Sequence, residues 1–351
     1  MSVLLTRCRP KSSITSVPRV YEKIHTAVLA KFDEATGLRR KLIDWALPLG
    51  RRVSALRRAG QPVPRSLELQ YRLADKLVYA KVKERLGGRL QTAISGGAPL
   101  GLEVAEFFHG LDILLIEGYG LTECTTAATT STHGAFRFGT VGRALPGFEL
   151  RLADDGELLV RSETIFQGYY KDPEATAEVL GSDGWLRSGD IAEIDADGFV
   201  TITDRKKDII VTAGGKNVAP QNLENDLKAS KFISQAMVVG DRQPYIAALI
   251  TLDPDALPAW AAERGLPVEM DRLAREEQVR ELIQGVVDGV NADRSRYEQI
   301  KRFTILPRDF TMDEDELTPT LKLKRRVVTK HFGGELEELY AGETLNQAAG
   351  V

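Results

Sequence analysis

The sequence predicts an α/β protein: a mostly parallel sheet flanked by helices, with a small β-rich subdomain, followed by a small α+β domain. Three observations carry this. From Leu90, short apolar runs alternate with glycine loops and one helix-like stretch, LQTAISGGAPL, GLEVAEFFHGL and LDILLIEGYG, which is the order strand, loop, helix, strand, loop. Three Asp-Gly pairs follow, Asp155-Gly156, Asp183-Gly184 and Asp197-Gly198. The first and third lie between alternating runs, as hairpin turns do. After the charged connector DRKKD at 204–208 the pattern restarts as a compact α+β unit. The predicted domains are therefore 1–204 and 205–351, the first divided into a helical basic region (1–89), an α/β part (90–139) and a β-rich subdomain (140–203).

Taken in order, residues 20–90 read as helical, because Val20, Ile24 and Val28, then Leu73, Leu77 and 79–82, recur at three-to-four spacing between basic residues. The stretch GLRRKLIDWALPLGRRVSALRRAG at 37–60 sets Leu42, Ile43, Trp45, Leu49, Val53 and Leu56 among seven Arg or Lys and one Asp. It reads either as an interfacial helix pair docking on anionic lipid or as a helical hairpin whose apolar side packs on its own domain. In the second domain, strand DIIVT, loop AGGKN, helix PQNLENDLKAS opened by Pro220, strand QAMVVG, turn DRQP and strand YIAALITL follow one another. Helices around 256–264 and 276–293, a strand KRFTIL, an acidic loop MDEDE and LTPTLKLKRRVV complete it.

Composition narrows the class. The chain has 351 residues, 43% hydrophobic and 28% charged, with 47 Lys and Arg against 50 Asp and Glu, values that argue against disordered, fibrous and membrane-spanning proteins. The near-neutral total hides an asymmetry. Residues 1–100 hold 20 basic and 7 acidic side chains, leaving 27 basic against 43 acidic in the remainder. Cys8 and Cys124 form no CxxC pair, the apolar run before Arg7 is too short for a secretory signal, and no apolar run of about 18 residues occurs. A cytoplasmic protein is expected, with any membrane contact peripheral and made through residues 37–60. No nucleic-acid partner is expected, since the basic segment has no interleaved aromatic platform.

Generic nucleotide motifs fail letter by letter. Gly118-Tyr-Gly120-Leu-Thr-Glu123 has Glu where a dinucleotide fingerprint needs its third Gly. Gly215-Lys216-Asn217 resembles the end of a phosphate-binding loop, but Ile210 stands at its first Gly and Asn217 at its Ser/Thr. His25, His109, His133 and His331 show no ligand spacing and read as structural, and Cys124 has no identifiable base.

What remains is a fixed order of unusual strings: SGGAPL at 95–100, EGYGLTE at 117–123, GWLRSGD at 184–190, DRKKDIIVTAGGKN at 204–217 and LTPTLKLKRR at 317–326, with FQGYYKDPEAT at 166–176 between them. Together they resemble the AMP-forming adenylate ligases, and long-chain acyl-CoA synthetases in particular, from VPRVYEKI at 17–24 onward. The resemblance implies a two-step reaction. A fatty-acid carboxylate attacks the α-phosphate of ATP, giving acyl-AMP and pyrophosphate, and the CoA thiol then displaces AMP. It also implies the fold, the C-terminal part of a large adenylate-forming domain followed by a mobile lid.

The resemblance assigns roles residue by residue. Gly96, Gly97 and Ala98 would line the adenine pocket, with Glu117 and Gly118 beside them. Tyr119 would stack, Gly120 would admit the reacting carboxylate, Thr122 would donate to the α-phosphate, and Glu123 would ligate Mg²⁺. Asp190 would accept from the ribose hydroxyls and Arg205 would be its partner. Lys207 would be the hinge, Lys322 the lysine of adenylation, and Gly214, Gly215 and Lys216 the CoA slot. Lys324 and Arg325 read as surface charge or CoA-phosphate contacts.

Members also carry a Ser/Thr/Gly-rich loop ending in Pro-Lys-Gly upstream of these strings, and this sequence has none. It therefore reads as an N-terminally truncated synthetase, whose cut edge would invite a homo-oligomer or a covering partner. A second reading stays open: a catalytically impaired fragment that binds nucleotide or CoA, or associates with membranes or a partner.

Overall fold

The computed structural model describes residues 12–319 and 321–341. Cys8 lies outside them. The chain divides into two compact units, one ending at Ile202 and the other beginning at Thr203.

The first unit opens with strand β1 (Ser12–Ser16) and helix α1 (Pro18–Asp33), whose initial proline has the φ a helix start requires. Helices α2 (Gly37–Arg58) and α3 (Arg65–Ala74), a π-helical segment (Asp75–Tyr79) and α4 (Ala80–Arg85) follow. The stretch at 37–60 is thus one long helix, neither an interfacial pair nor a hairpin. Its face of Ile43, Ala46, Leu49, Gly50, Val53 and Ser54 is buried in the unit's core beside Val104, Phe107 and Phe108, so the apolar surface required for lipid docking is spent on internal packing. Pro48 lies inside this helix, and the Tyr79 hydroxyl donates to the carbonyl of Ala46, two residues before it.

Strands β2 (Leu90–Gly96) and β3 (Leu114–Gly120), helix α5 (Leu102–Gly110) between them, and strands β4 (Ala127–Thr130) and β5 (Arg143–Ala144) complete the first sheet, in the order β1-β2-β3-β4-β5. The β1–β2 and β2–β3 pairs are parallel, and β3–β4 and β4–β5 antiparallel. The antiparallel β3–β4 pair has a simple cause: residues 121–126 are too few for the crossover that a parallel neighbour needs. The second sheet contains β6 (Glu149–Leu152), β7 (Glu157–Arg161), β8 (Leu186–Ile194) and β9 (Val200–Arg205) in sequential order, with helix α6 (Pro173–Val179) inserted. Its β6–β7 and β7–β8 pairs are antiparallel. Gly156 and Gly198 take positive φ at the Asp-Gly turns, as hairpin glycines do. Cys124 and Ala128 pack with Leu158, Val160, Leu186 and Val200, joining the two sheets.

The second unit begins with a short hairpin, β10 (Ile210–Val211) and β11 (Asn217–Val218), then α7 (Pro220–Lys228), β12 (Ile233–Val239) and β13 (Ile246–Leu252). Helices α8 (Leu257–Ala262), α9 (Met270–Leu273) and α10 (Glu277–Asn291), strand β14 (Ile300–Ile305) and helices α11 (Arg325–His331) and α12 (Gly333–Tyr340) follow. Every residue of central β13 is buried, which explains its continuous apolar sequence. Leu223, Leu227, Ile283 and Val287 pack in one core cluster of this unit, and Phe310, Leu317, Val328 and Phe332 in another. Among the described residues no helix is long and apolar enough to cross a membrane.

Candidate functional site

In the first unit, Ser95 and Gly96 of β2 stand in register with Glu117 and Gly118 of β3, so SGGAPL and EGYGLTE leave the same end of the sheet side by side. Gly97 and Ala98 are exposed there, and Gly97 has φ +85°, a conformation that favours glycine. Glu117 is turned inward. Its Oε2 accepts the backbone N–H of Leu100 at 3.0 Å, closing SGGAPL onto β3. Burial pushes this carboxyl up to about 7, against the opposing pull of the Leu100 amide.

The Tyr119 hydroxyl donates to Oδ2 of Asp190 at 2.6 Å, joining the EGYGLTE loop to β8. Asp190 is 5% exposed, and the Ser188 hydroxyl accepts its backbone N–H. Burial and the adjacent Asp190 carboxylate push the Tyr119 phenol above its ordinary range. Two sequence-predicted residues, 71 positions apart, thus form one built contact. Gly120 has a structural reason to be glycine: a Cβ there would stand 2.3 Å from the carbonyl oxygen of Thr126.

Thr122 and Glu123 occupy a single 3₁₀ turn (Thr122–Cys124) after β3, with Thr122 exposed and Glu123 half-buried. Oε1 of Glu123 takes the Tyr169 hydroxyl at 2.7 Å, and its backbone carbonyl takes the amide of Phe166 at 2.8 Å. The hydrogen bond to Glu123 raises the Tyr169 phenol. FQGYYKD is therefore packed on the loop that holds Glu123. Among the described residues no cluster of three or more His, Cys, Asp or Glu side chains suits a metal. A single oriented carboxylate beside an exposed hydroxyl matches Mg²⁺, which takes one or two carboxylates and completes its shell with phosphate and water. Cys124 is buried, and burial pushes its thiol up to about 11, away from nucleophilic use. His109 lies on α5 with Nδ1 2.8 Å from the Ser54 hydroxyl, a core contact.

In the second unit, Arg205 ends β9 and Lys207 lies in the turn after it, both exposed. Asp190 and Arg205 fall in different units. Gly214, Gly215 and Lys216 form the tip of the β10–β11 hairpin, which Thr212 closes: its amide and hydroxyl both meet the Lys216 carbonyl, at 3.0 and 3.3 Å. Both glycines are exposed, Gly215 has φ +71°, and a Cβ on it would meet nothing within 4 Å. The Lys216 ammonium lies 5.8 Å from the Tyr297 ring centroid. Lys322 closes a turn in which its amide donates to the Thr318 hydroxyl at 2.9 Å and its carbonyl accepts from the Thr318 amide at 2.8 Å. Arg325 is a structural cation, not surface charge: it is paired with the buried Glu224 and the Val238 carbonyl.

Profiles described as AMP-binding enzyme and AMP-binding enzyme C-terminal domain match residues 11–170 and 207–344. The chain belongs to the AMP-binding enzyme family. Similar family members include a long-chain-fatty-acid–CoA ligase of Mycobacterium bovis, 42% identical over 94% of this chain and 55% of its own length. A long-chain-fatty-acid–CoA ligase of Gallus gallus is 35% identical over 96% of this chain and 47% of its own. The chain thus spans about half the length of the curated relatives it matches. The adenylation domain of a carboxylate reductase from Mycobacterium chelonae superposes with a TM-score of 0.70 at 28% identity, over 94% of this chain and 46% of that one. These matches bear out the adenylate-forming fold inferred from the five strings.

Two residues that carry family motif side chains were missed by sequence reasoning: Tyr169, which holds Glu123, and Leu100, which holds Glu117. Tyr169 lies in FQGYYKDPEAT, a string already conspicuous, whereas the Leu100 contact is made by backbone and leaves no side-chain signal.

Proposed function

We propose that the chain carries out the nucleotide and CoA chemistry of a long-chain fatty-acid–CoA ligase: ATP-dependent adenylation of a fatty acid, then thioester formation with CoA. The observation that carries this reading is the Tyr119–Asp190 contact at the sheet end where SGGAPL and EGYGLTE emerge together. Three of the five strings, SGGAPL, EGYGLTE and GWLRSGD, meet within the first unit. The curated relatives named above, described as long-chain-fatty-acid–CoA ligases, support the substrate class.

In the first step a carboxylate oxygen of the fatty acid attacks the α-phosphorus, and the bond to the bridging oxygen breaks with pyrophosphate leaving. Gly96, Gly97 and Ala98 receive the adenine, Glu117 keeps their loop closed, and Tyr119 offers its ring while its hydroxyl orients Asp190 toward the ribose. Thr122 donates its hydroxyl to an α-phosphate oxygen, and Glu123, steadied by Tyr169, holds Mg²⁺. Mg²⁺, when bound, neutralises charge on the leaving pyrophosphate. Lys322 supplies a positioned ammonium to the carboxylate and phosphate oxygens as negative charge concentrates, and Arg205 serves the ribose and phosphate side.

In the second step the CoA sulfur attacks the acyl carbon, the thiol proton leaves, and AMP departs with the electron pair of the acyl–oxygen bond. Gly214 and Gly215 leave room for the pantetheine arm, Lys216 faces the nucleotide end of CoA, and Lys207 is the hinge about which the second unit turns between the steps. A cytoplasmic setting fits this substrate set. The test is fatty-acid-dependent pyrophosphate release by the purified chain and by Lys322→Ala. Release by the parent, falling at least 100-fold in the variant, is expected. No release above background from the parent would overturn catalysis by this chain.

A further inference from the structure

In the second unit the hinge segment and the Lys322 turn are far apart in sequence, yet hydrogen bonds made from helix α7 reach the anchoring residues of both. The first of these is Asp204, immediately before the hinge residues, which is 5% exposed. Oδ1 of Asp204 accepts the Arg205 amide at 2.6 Å and Oδ2 accepts the Gln221 amide at 3.3 Å. Gln221 is in the first turn of α7, whose own N-cap residue, Ala219, has no capping side chain. Asp204 therefore takes up one of the open amides at that helix start from outside the helix.

The contacts continue along α7. Glu224, one turn on and 4% exposed, has its Oε1 occupied by the Val238 amide at 2.8 Å and by Nη2 of Arg325. Arg325 also donates from Nη1 to the Val238 carbonyl at 2.9 Å. It opens α11, three residues after Lys322. The turn's other leg is pinned separately. The Lys324 amide donates to the carbonyl of Glu316, and the wholly buried Glu316 carboxylate takes both terminal nitrogens of Arg308 and approaches Nδ1 of His331.

Charges this deeply buried are costly unless each is paired, and a pair that joins separate segments restrains their relative placement. Solubility does not require these contacts, and a surface ion pair would not provide the same restraint.

We propose that Asp204, Glu224 and Arg325 are positioning residues: through helix α7 they make the hinge segment and the Lys322 turn a single rigid piece, so that movement at 205–207 carries the Lys322 ammonium with it. This rests on the reading of Lys322 as the adenylation lysine. A bidentate Arg between two backbone-engaged acceptors suits the task because a planar guanidinium fixes direction as well as distance, whereas an ammonium fixes distance alone.

The test uses the full chain with Glu224→Gln, Arg325→Lys and Arg325→Met. Amide hydrogen exchange is followed at 204–208 and 317–324, with β13, to which neither the Glu224 nor the Arg325 side chain hydrogen-bonds, as internal control. The proposal expects protection of the Lys322 and Lys324 amides to fall at least tenfold in Arg325→Met and Glu224→Gln, less in Arg325→Lys, with β13 within twofold. ATP–pyrophosphate exchange should fall tenfold or more in kcat with KM for ATP within threefold, while conversion of supplied acyl-adenylate by CoA holds within threefold. Unchanged protection in the turn, or a loss spread evenly over the unit, would overturn it. If Arg325→Met does not fold, Arg325→Lys and Glu224→Gln decide. If the parent chain shows no exchange of pyrophosphate, the ligase reading fails and the amide pattern alone decides the positioning.

Discussion

The hydroxyl of Tyr119 donates to the buried carboxylate of Asp190 across 2.6 Å, fastening the loop after β3 to strand β8. Removing this donor by Tyr119→Phe leaves a buried carboxylate without one of its partners, which costs about 1–3 kcal/mol. Urea unfolding of the purified chain should show that loss, and AMP binding by calorimetry should weaken about tenfold. A stability change under 0.5 kcal/mol would show that the contact is not held in solution.

Glu117 gives the first unit a pH dependence. Burial raises its carboxyl to about 7 in the folded chain, well above its unfolded value, so the folded state binds the additional proton. Its contribution is therefore fully present below about pH 4.5 and is lost as pH rises through about 7, a change of about 3 kcal/mol at most. Melting curves between pH 4.5 and 8 should slope downward over that window, and Glu117→Gln should flatten the slope. An unaltered slope in the variant would assign the effect to another group.

The Tyr169–Glu123 contact lies at an exposed edge, where a single hydrogen bond contributes little to stability. Tyr169→Phe should leave the melting temperature within about 1–2 °C, yet raise the Mg²⁺ concentration for half-maximal pyrophosphate exchange several-fold, because the carboxylate proposed to hold the metal loses its restraint. Equal Mg²⁺ titrations for parent and variant would refute the orienting role.

The glycines separate into two kinds. Gly120→Ala would force a Cβ to 2.3 Å from the Thr126 carbonyl oxygen and 2.6 Å from the Ala127 Cα, both backbone atoms, so β4 must move. A loss of more than about 2 kcal/mol is expected. At Gly214 the nearest atom to a Cβ is the Thr212 hydroxyl at 3.9 Å. Gly214→Ala should therefore melt like the parent, so a selective fall in the CoA-dependent step, read as thioester formation from supplied acyl-adenylate, reports contact with CoA. No fall would remove Gly214 from the CoA site.

Much of the fold was legible because glycine and proline punctuation is local. The Asp-Gly turns do sit between β6 and β7 and between β8 and β9, Pro220 does open α7, and YIAALITL is the buried central strand β13. The stretch at 37–60 was not legible in the same way. Its apolar spacing suits a lipid face and a core face equally, and only the arrival of α5, with Gly50 and Gly110 in close approach, decided for the core. Helices α11 and α12 were missed because KLKRRVVTKH reads as a charge run until Val328 and Phe332 are seen buried.

By itself the sequence determined the family and much of the order of strands and loops, though not strands β1, β4 and β5, and it offered side chains whose type suits nucleotide, metal and CoA, since these depend on residue type and local spacing. The tertiary structure alone decided which of them are engaged by a neighbour in the fold. Glu117 spends its carboxylate on the Leu100 amide, Tyr119 spends its hydroxyl on Asp190, and Arg325, which looks like surface charge, is paired inside the second unit. The physical reason is burial. A polar atom withdrawn from water must find a partner, and which partner it finds is set by strands and helices that meet only in the folded chain.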